Sequence, residues 1–167
     1  MSRTLIICDI DGVLADCSHR LHYLEEKNYE EFYGDKILDD ELIQSGAKLL
    51  YRLWNRHFVG DSLTEVSSSL IFLTGRPNKT RAITQDWMRG CLVAQVANYP
   101  LLMRGDGDYR PSPIVKVELL KACNIPFDEY KTIYFIDDDP DNVKTVCKAF
   151  PRITGITFGT KRMEENK

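Results

Sequence analysis

The sequence predicts an α/β protein with a Rossmann-like, doubly wound and mainly parallel sheet that has helices on both faces. Short apolar runs alternate with longer segments of helical periodicity. Such alternation is typical of βαβ units, in which helical crossovers join parallel strands. The chain has 167 residues. We therefore expect one domain over residues 1–167.

The first half of the chain begins with a predicted strand. Residues 5–10 form a continuous apolar run, as expected of a strand buried on both faces. The polar, aromatic-dotted segment 21–32 predicts a helix. The acidic run at residues 39–41 predicts the N-terminus of an amphipathic helix that reaches about Asn55. The stretch VGDSLTEVSSS, residues 59–69, predicts a loop.

The second half repeats the pattern. LIFLTG predicts a buried strand, followed by a helix over residues 79–89. YPLLMR predicts a further strand, and after the loop GDGDYRPSP a helix reaches about Cys123, with Pro113 in its first turn. TIYFID predicts a strand, PDNVKTVCKAF a helix and ITGITFG a last strand.

Polar residues follow three of these strands, and the ends of parallel strands meet at one edge of a sheet. The residues concerned are Asp9 and Asp11, Thr74-Gly75-Arg76, and the run of three aspartates at 137–139. Lys116 lies on a predicted helix near the same edge. We therefore expect these groups to lie close together.

The residue types indicate phosphoryl transfer. Gly12 permits a turn directly after Asp9 and Asp11, and a third carboxylate from residues 137–139 gives an anionic, all-oxygen site that suits Mg²⁺. Thr74, Gly75, Arg76 and Lys116 are suited to bind an oxyanion. An aspartate can attack phosphorus, and a second one nearby can exchange the proton.

The segments DIDGVLAD, LTGR, Lys116 and FIDDDPDN resemble, in order, the four motifs of the haloacid dehalogenase (HAD) superfamily of phosphatases. The resemblance implies that Asp9 is the nucleophile and Asp11 the general acid/base. It implies that Thr74 and Lys116 hold the phosphoryl group.

The resemblance also implies a Mg²⁺ cofactor. Its expected ligands are Asp9, the backbone carbonyl of Asp11, and Asp138, with Asp137 or Asn142 acting through water. The direct ligand among the three consecutive aspartates stays open.

Substrate preference is indicated by the short connections. The intervals between Asp16 and Leu70 and between Arg76 and Lys116 are too short for a large cap domain beside the core elements, which predicts an open cleft. Lysine and arginine outnumber aspartate and glutamate over residues 74–121, which predicts a basic flank suited to an oligonucleotide.

Two further stretches, SHRLHYL and LLMRGDGDYRPSPIVKVELL, resemble the 3′-phosphatase domain of bacteriophage-type polynucleotide kinase/phosphatases. The resemblance implies removal of a 3′-phosphate from nucleic-acid ends. A kinase P-loop is absent from the sequence. The expected substrate-binding residues are Gly75, Arg76, Arg104, Tyr109 and Arg110, of which Tyr109 is suited to stack on a base.

Two other functions remain open: a nucleotidase or small-molecule phosphatase of the same superfamily, and, more distantly, a phosphoacceptor receiver domain. His19 and His22 are compatible with substrate contact or with surface and packing roles. Scattered cysteines and the lack of a long apolar stretch predict a cytoplasmic protein without a membrane span. The resemblance to a bacteriophage-type domain implies a phage-encoded protein that acts in the host cytoplasm. The oligomeric state stays open.

Overall fold

The computed structural model describes residues 3–54 and 68–159. A five-stranded parallel sheet forms its centre, and a separate antiparallel ribbon has two strands. In chain order the strands are β1 (Thr4–Cys8), β2 (Ala15–Asp16), β3 (Glu41–Leu42), β4 (Ser68–Pro77), β5 (Leu101–Arg104), β6 (Thr132–Asp137) and β7 (Thr154–Thr157). The central order is β5-β4-β1-β6-β7, which confirms the predicted fold class.

The helices cover both faces of this sheet. They are α1 (His22–Glu25), α2 (Tyr29–Phe32), α3 (Gln44–Trp54), α4 (Arg81–Cys91), α5 (Ala94–Ala97), α6 (Ser112–Ala122) and α7 (Pro140–Ala149). Successive side chains of β1 point to opposite faces. Ile6 and Cys8 belong to the core layer under α3 and α4, whereas Leu5 and Ile7 belong to the layer under α6 and α7.

The structure corrects two helix predictions in the first half. The predicted helix start at residues 39–41 is wrong: a 3₁₀ turn spans Asp35–Asp39, β3 follows, and α3 begins at Gln44. Asp40 is fully enclosed and accepts hydrogen bonds from arginines, so it does not cap a helix. Segment 21–32 forms two four-residue helices, interrupted near Lys27, whose φ is 55°. Residues 59–67 of the predicted loop lie outside the described residues.

Residues 15–43 form a small cap at the carboxyl edge of the sheet. The cap consists of the β2–β3 ribbon, α1, α2 and the 3₁₀ turns. Its two ends are joined by the hydrogen bond that Ile43 N donates to Leu14 O, 2.7 Å long. The expectation of a minimal cap is thus confirmed. Over the described ranges, no helix has the length and apolar character needed to cross a membrane.

Two local distortions shape the sheet edge beneath the cap. After β1 the chain turns at Gly12, whose φ is 75°, and a β-carbon there would lie 2.1 Å from Asp138 Oδ2. In β4 the register against β5 shifts between Thr74 and Pro77, an irregularity of the ladder at Gly75 and Arg76. Gly12 and Gly75 both line the cleft at this edge of the sheet.

Candidate active site

A buried cation joins two of the predicted acids. Lys116, on α6, donates from Nζ to Asp9 Oδ2 at 2.6 Å and to Asp137 Oδ2 at 2.5 Å. The other oxygen of Asp9 accepts from Ile10 N at 2.7 Å. Lys116 is 1% exposed, so the pair interaction lies in a poorly hydrated environment. The Asp9 carboxylate is therefore held in one orientation at the end of β1.

The charges in this cluster shift its proton affinities. Burial raises the pKa of Asp9 well above its usual value, Lys116 opposes this, and the nearby Asp137 and Asp11 add to it. Burial alone would lower the pKa of Lys116, but Asp9 and Asp137 outweigh it and the pKa is raised. The lysine therefore stays charged, while the Asp9 carboxyl needs additional positive charge nearby to be fully ionised.

Three carboxylates form a candidate cation site. One oxygen from each of Asp9, Asp137 and Asp138 lies within 4.8 Å of the others. Burial and the adjacent Asp137 raise the pKa of Asp138 to about 6. The buried Oδ1 of Asn142 has no hydrogen-bond partner within the described part of the chain. Three acids sharing one ammonium and a spare amide oxygen fit a hard divalent ion such as Mg²⁺.

Asp11 lies in a second, separate charge network. Its carboxylate accepts from Arg76 Nη2 at 2.6 Å and from Arg20 Nη2 at 3.0 Å. Both arginines also bind Asp40, through Arg20 Nε and Arg76 Nη2, each at 2.7 Å. Arg20, Arg76 and the Asp40 side chain have no exposed surface, whereas 27% of the Asp11 side chain is exposed. The two arginines therefore fix the orientation of the Asp11 carboxylate from its buried side.

The arginines determine the charge of Asp11. Burial alone would raise its pKa, but the charge and hydrogen bonds of Arg76, together with the charge of Arg20, outweigh burial and lower it. Asp11 is therefore a carboxylate in the free protein. Its side chain is not one of the three that form the acidic cluster.

Arg20 and Asp40 are site residues that the sequence reasoning missed. The acidic run at residues 39–41 has the composition of a helix start, and the histidines of SHRLHYL, rather than Arg20, are its candidate substrate contacts. A signal was present, because an arginine in a segment that packs against the core requires a carboxylate partner. Of the two histidines, His19 contacts Asp40 Oδ1 through Nε2 at 3.0 Å, and the His22 ring packs on Tyr23.

A cleft of about 920 Å³ opens between the sheet edge and the cap. Asp9, Asp11, Gly75, Lys116 and Asp138 all line it. The cap contributes residues on the opposite wall, including Leu21, Leu24, Phe32 and Tyr33. The structure thus brings the predicted acids and the lysine to a common space.

The remaining predicted residues occupy other positions. Thr74 is fully buried and its Oγ1 accepts from Arg76 N at 3.2 Å. Arg76 lies behind Asp11, so its predicted contact with substrate has no exposed surface to use in this structure. Arg104, Tyr109 and Arg110 line a neighbouring smaller cavity. These roles in substrate binding stay predictions.

The predicted basic flank is weaker than the sequence suggests. Arg76 and Lys116 are neutralised by buried carboxylates, and Arg110 pairs with Asp108 and Glu118. In contrast, the side chains of Lys79 and Arg104, which line the smaller cavity, form no ion pair with any described residue. The Asp106 carboxylate lies close to Lys79, since it accepts from the backbone N of that residue at 2.6 Å.

Comparison with solved structures identifies the fold. A chain of the Pnkp1/Rnl/Hen1 RNA repair complex matches with a TM-score of 0.66 and 23% identity, over 94% of this chain and 43% of that one. The HAD domain of effector protein Lem4 from Legionella pneumophila matches with a TM-score of 0.53 and 10% identity, over 98% and 90%. This chain thus spans less than half of the repair-complex chain. No curated protein matches the sequence.

The fold and the acidic sheet edge define a phosphatase of the HAD superfamily. A family model for the polynucleotide kinase PNKP phosphatase domain matches residues 3–156. The chain belongs to this family.

Proposed function

We propose that the protein is a Mg²⁺-dependent phosphomonoesterase that removes 3′-phosphates from polynucleotide ends through an aspartyl-phosphate. The observation that carries the proposal is the orientation of Asp9: both of its oxygens are held, by Ile10 N and Lys116 Nζ, at the floor of a cleft that Asp11 also lines. A fixed carboxylate beside a second one is the arrangement required for nucleophilic attack followed by hydrolysis.

In the first step, an Asp9 oxygen attacks phosphorus and the bond between phosphorus and the ester oxygen breaks. The leaving 3′-oxygen takes a proton from Asp11. Lys116 stabilises the negative charge near Asp9, because its ammonium is 2.6 Å from the carboxylate. The products of this step are the 3′-hydroxyl end and an acyl phosphate on Asp9.

In the second step, water attacks the phosphorus of the acyl phosphate while Asp11 accepts the proton. The bond between phosphorus and the Asp9 oxygen breaks, which releases inorganic phosphate and regenerates the carboxylate. The lowered pKa of Asp11 suits this step, since a general base must be ionised.

The acid role of Asp11 requires a proton that the free protein does not hold there. We infer that the phosphate of the substrate, when it enters beside Asp11, offsets the charge of Arg76 and Arg20 and raises the pKa of the carboxylate. Once Asp11 has given its proton to the leaving oxygen, it is again a carboxylate in contact with both arginines and can accept a proton from the attacking water.

Asp9, Asp137 and Asp138 are the residues that would hold Mg²⁺, with Asn142 available through water. The ion supplies positive charge that neutralises the phosphoryl oxygens and favours the ionised form of Asp9. Without it, the three acids share only the charge of Lys116.

A polynucleotide substrate is supported by three observations. The chain belongs to the family of PNKP phosphatase domains. A structural neighbour is part of an RNA repair complex. The cap is small, and a cleft of about 920 Å³ is larger than a phosphate ester group needs.

The test is phosphate release from a 3′-phosphorylated oligonucleotide, with Mg²⁺ and with EDTA. A 5′-phosphorylated oligonucleotide, a 3′-nucleoside monophosphate and p-nitrophenyl phosphate are compared at equal concentration. Metal-dependent release that is fastest from the 3′-phosphorylated oligonucleotide supports the proposal. Equal or faster release from the mononucleotide indicates a nucleotidase. Stable phosphorylation without turnover indicates a receiver domain.

Variants separate the two carboxylate roles. Asp9→Asn is expected to abolish turnover and phosphoenzyme formation with the fold retained. Asp11→Asn is expected to slow alkyl esters, which need a protonated leaving group, more than aryl esters. Asp141→Asn, an exposed aspartate in the first turn of α7, is the matched control. Equal losses on both ester types for Asp11→Asn contradict its acid role.

A further inference from the structure

A second cavity of about 250 Å³ lies beside the cleft. Its walls come from the cap, the end of β4 with the turn that follows it, and the end of β5 with its following loop. The residues that form these walls include Tyr29, Tyr33, Pro77, Lys79, Arg104 and Tyr109. We call this cavity the tyrosine pocket.

Two tyrosines of the pocket are unusually exposed. Tyr109 is 82% exposed and Tyr29 is 47% exposed. They come from segments far apart in the chain, yet their ring centroids are 6.2 Å apart at an interplanar angle of 52°. Large aromatic surface that stays in water is a frequent sign of a binding site. Here the two rings form an open aromatic wall.

The tyrosine pocket adjoins the active-site cleft. Tyr33 lines both spaces. Arg104 Nε donates to the carbonyl of Gly75 at 2.9 Å, and Gly75 lines the cleft that contains Asp9. A strand whose terminal phosphate lies against Asp9 can therefore reach the tyrosine pocket by passing Gly75 and Tyr33.

The loop that carries Tyr109 is held in place. Arg104 Nη1 donates to the carbonyls of Asp108 at 3.0 Å and Arg110 at 2.6 Å. Arg110 in turn pairs with Asp108 and Glu118. The residue between these anchors is Tyr109, whose side chain is left in solvent. These hydrogen bonds and ion pairs of Arg104 and Arg110 therefore fix the loop that presents the exposed Tyr109 ring to solvent.

The charges at the pocket suit a polyanion. The side chains of Lys79 and Arg104 form no ion pair among residues 3–54 and 68–159, although the Asp106 carboxylate accepts from the backbone N of Lys79 at 2.6 Å. Asp108 pairs with Arg110, which also pairs with Glu118. Two cations without ion pairs next to two open aromatic rings match a strand in which planar bases alternate with phosphates. A sugar phosphate or other alkyl phosphate has no planar ring to stack on them.

We propose that the tyrosine pocket binds an unpaired nucleobase from the last two nucleotides of the 3′-phosphorylated strand. The base stacks on Tyr109 with Tyr29 closing the wall, and Lys79 and Arg104 lie near the adjoining backbone phosphate. This proposal adds a base-binding site to the proposed 3′-phosphatase function and rests on that function. Stacking requires an unpaired base, so the pocket selects single-stranded or frayed 3′ ends over a fully paired end.

The experiment compares KM for a 3′-phosphorylated oligonucleotide with KM for the same strand made abasic at the terminal or the preceding position. For the unmodified protein, loss of the stacked base raises KM by roughly 5- to 150-fold, the range that a single stacking contact supplies. In Tyr109→Ala this ratio falls towards one at the same position, whereas Tyr109→Phe, which keeps the ring, preserves it.

The matched control is Val93→Ala, an exposed apolar residue at 47% exposure that lines neither cavity, and it is expected to keep the ratio. If Tyr109→Ala and the unmodified protein show equal ratios at both positions, the proposed pocket is wrong while the phosphatase function stands.

A binding measurement separates this proposal from the proposed function. Asp9→Asn protein is titrated into a 3′-phosphorylated oligonucleotide that carries fluorescent 2-aminopurine at each of the last two positions. Quenching that depends on Tyr109 supports the pocket even if no phosphate is released from that substrate by the unmodified protein. Quenching that Tyr109→Ala leaves unchanged, or its absence at both positions, overturns the pocket.

Discussion

Replacing Asp40 by asparagine tests the buried charge network behind Asp11. The substitution keeps the shape of the side chain but removes the negative charge that Arg20 and Arg76 share. Asp40 accepts two hydrogen bonds from Arg20 and one from Arg76, all at 2.7 Å, and its side chain is fully buried. Neither guanidinium has access to water. The variant therefore has two buried cations and one remaining carboxylate.

The expected loss of stability follows from that charge imbalance. Breaking a buried ion pair from one side typically costs about 3–5 kcal/mol. Asp11 remains in contact with both arginines and is partly exposed, so we expect the lower end, about 3 kcal/mol. For a domain of this size each kcal/mol lowers Tm by about 2–4 °C. The expected decrease in Tm is thus about 6–12 °C.

The assay is urea unfolding followed by far-ultraviolet circular dichroism, with Tm from calorimetry as a second measure. Asp39→Asn is the matched control, because the neighbouring aspartate is exposed, and it is expected to change stability by less than about 0.5 kcal/mol. A change below about 1 kcal/mol for Asp40→Asn would refute the argument, since it would mean that Asp40 is not an essential counterion of the two arginines.

Three other predictions concern the acidic cluster. Lys116→Met leaves Asp9 and Asp137 without their shared cation, so we expect a loss of about 3–5 kcal/mol in urea unfolding at neutral pH, and a smaller loss near pH 5, where the carboxyls take up protons. Gly12→Ala places a methyl group 2.1 Å from Asp138 Oδ2 in a left-handed turn, and calorimetric titration should show Mg²⁺ affinity reduced about 10- to 100-fold; unchanged affinity contradicts the close approach. Because the pKa of Asp138 is raised to about 6, the metal-free protein binds a proton that Mg²⁺ must displace, so Mg²⁺ affinity should rise as pH increases through 6; a flat profile between pH 5 and 7 would contradict the shift.

The same raised pKa predicts the stability of the metal-free protein. A carboxyl with a higher pKa in the folded than in the unfolded state binds more protons when folded, so stability falls as pH rises from about 4 to about 6. Urea unfolding in EDTA across this range measures the trend. Adding Mg²⁺ is expected to reduce it, because the ion takes the place of the proton.

The location of the site could be predicted from the sequence because it depends on strand ends. The runs that become β1, β4 and β6 are apolar and each is followed by polar residues. In a parallel sheet all such ends lie at one edge, whatever the exact strand order. Asp9, Gly75 and Asp138 therefore line one cleft. The local sequence is enough to predict this, because it identifies the strand ends.

The partner of each charge depends on tertiary structure. Lys116 pairs with Asp9, which is 107 residues away, and Arg76 with Asp11, which is 65 residues away. The acids at residues 39–41 have the composition of a helix start, yet Asp40 is the counterion of two arginines. A capping residue at a helix start is typically worth about 1 kcal/mol, whereas a buried charge left without its partner costs about 3–5 kcal/mol.

By itself, the sequence determined the α/β class, the edge of the sheet at which the chemistry lies and the types of group assembled there, because periodicity and strand-end residues are local properties. Only the tertiary structure decided that Asp11 is held by arginines rather than within the acidic cluster, and that Tyr29 and Tyr109 form one wall. The physical reason is that ion pairing and ring contact act over a few ångströms in space. These contacts cannot be predicted from the separation of the residues along the chain, because they form only when the cap and the loop after β5 pack together.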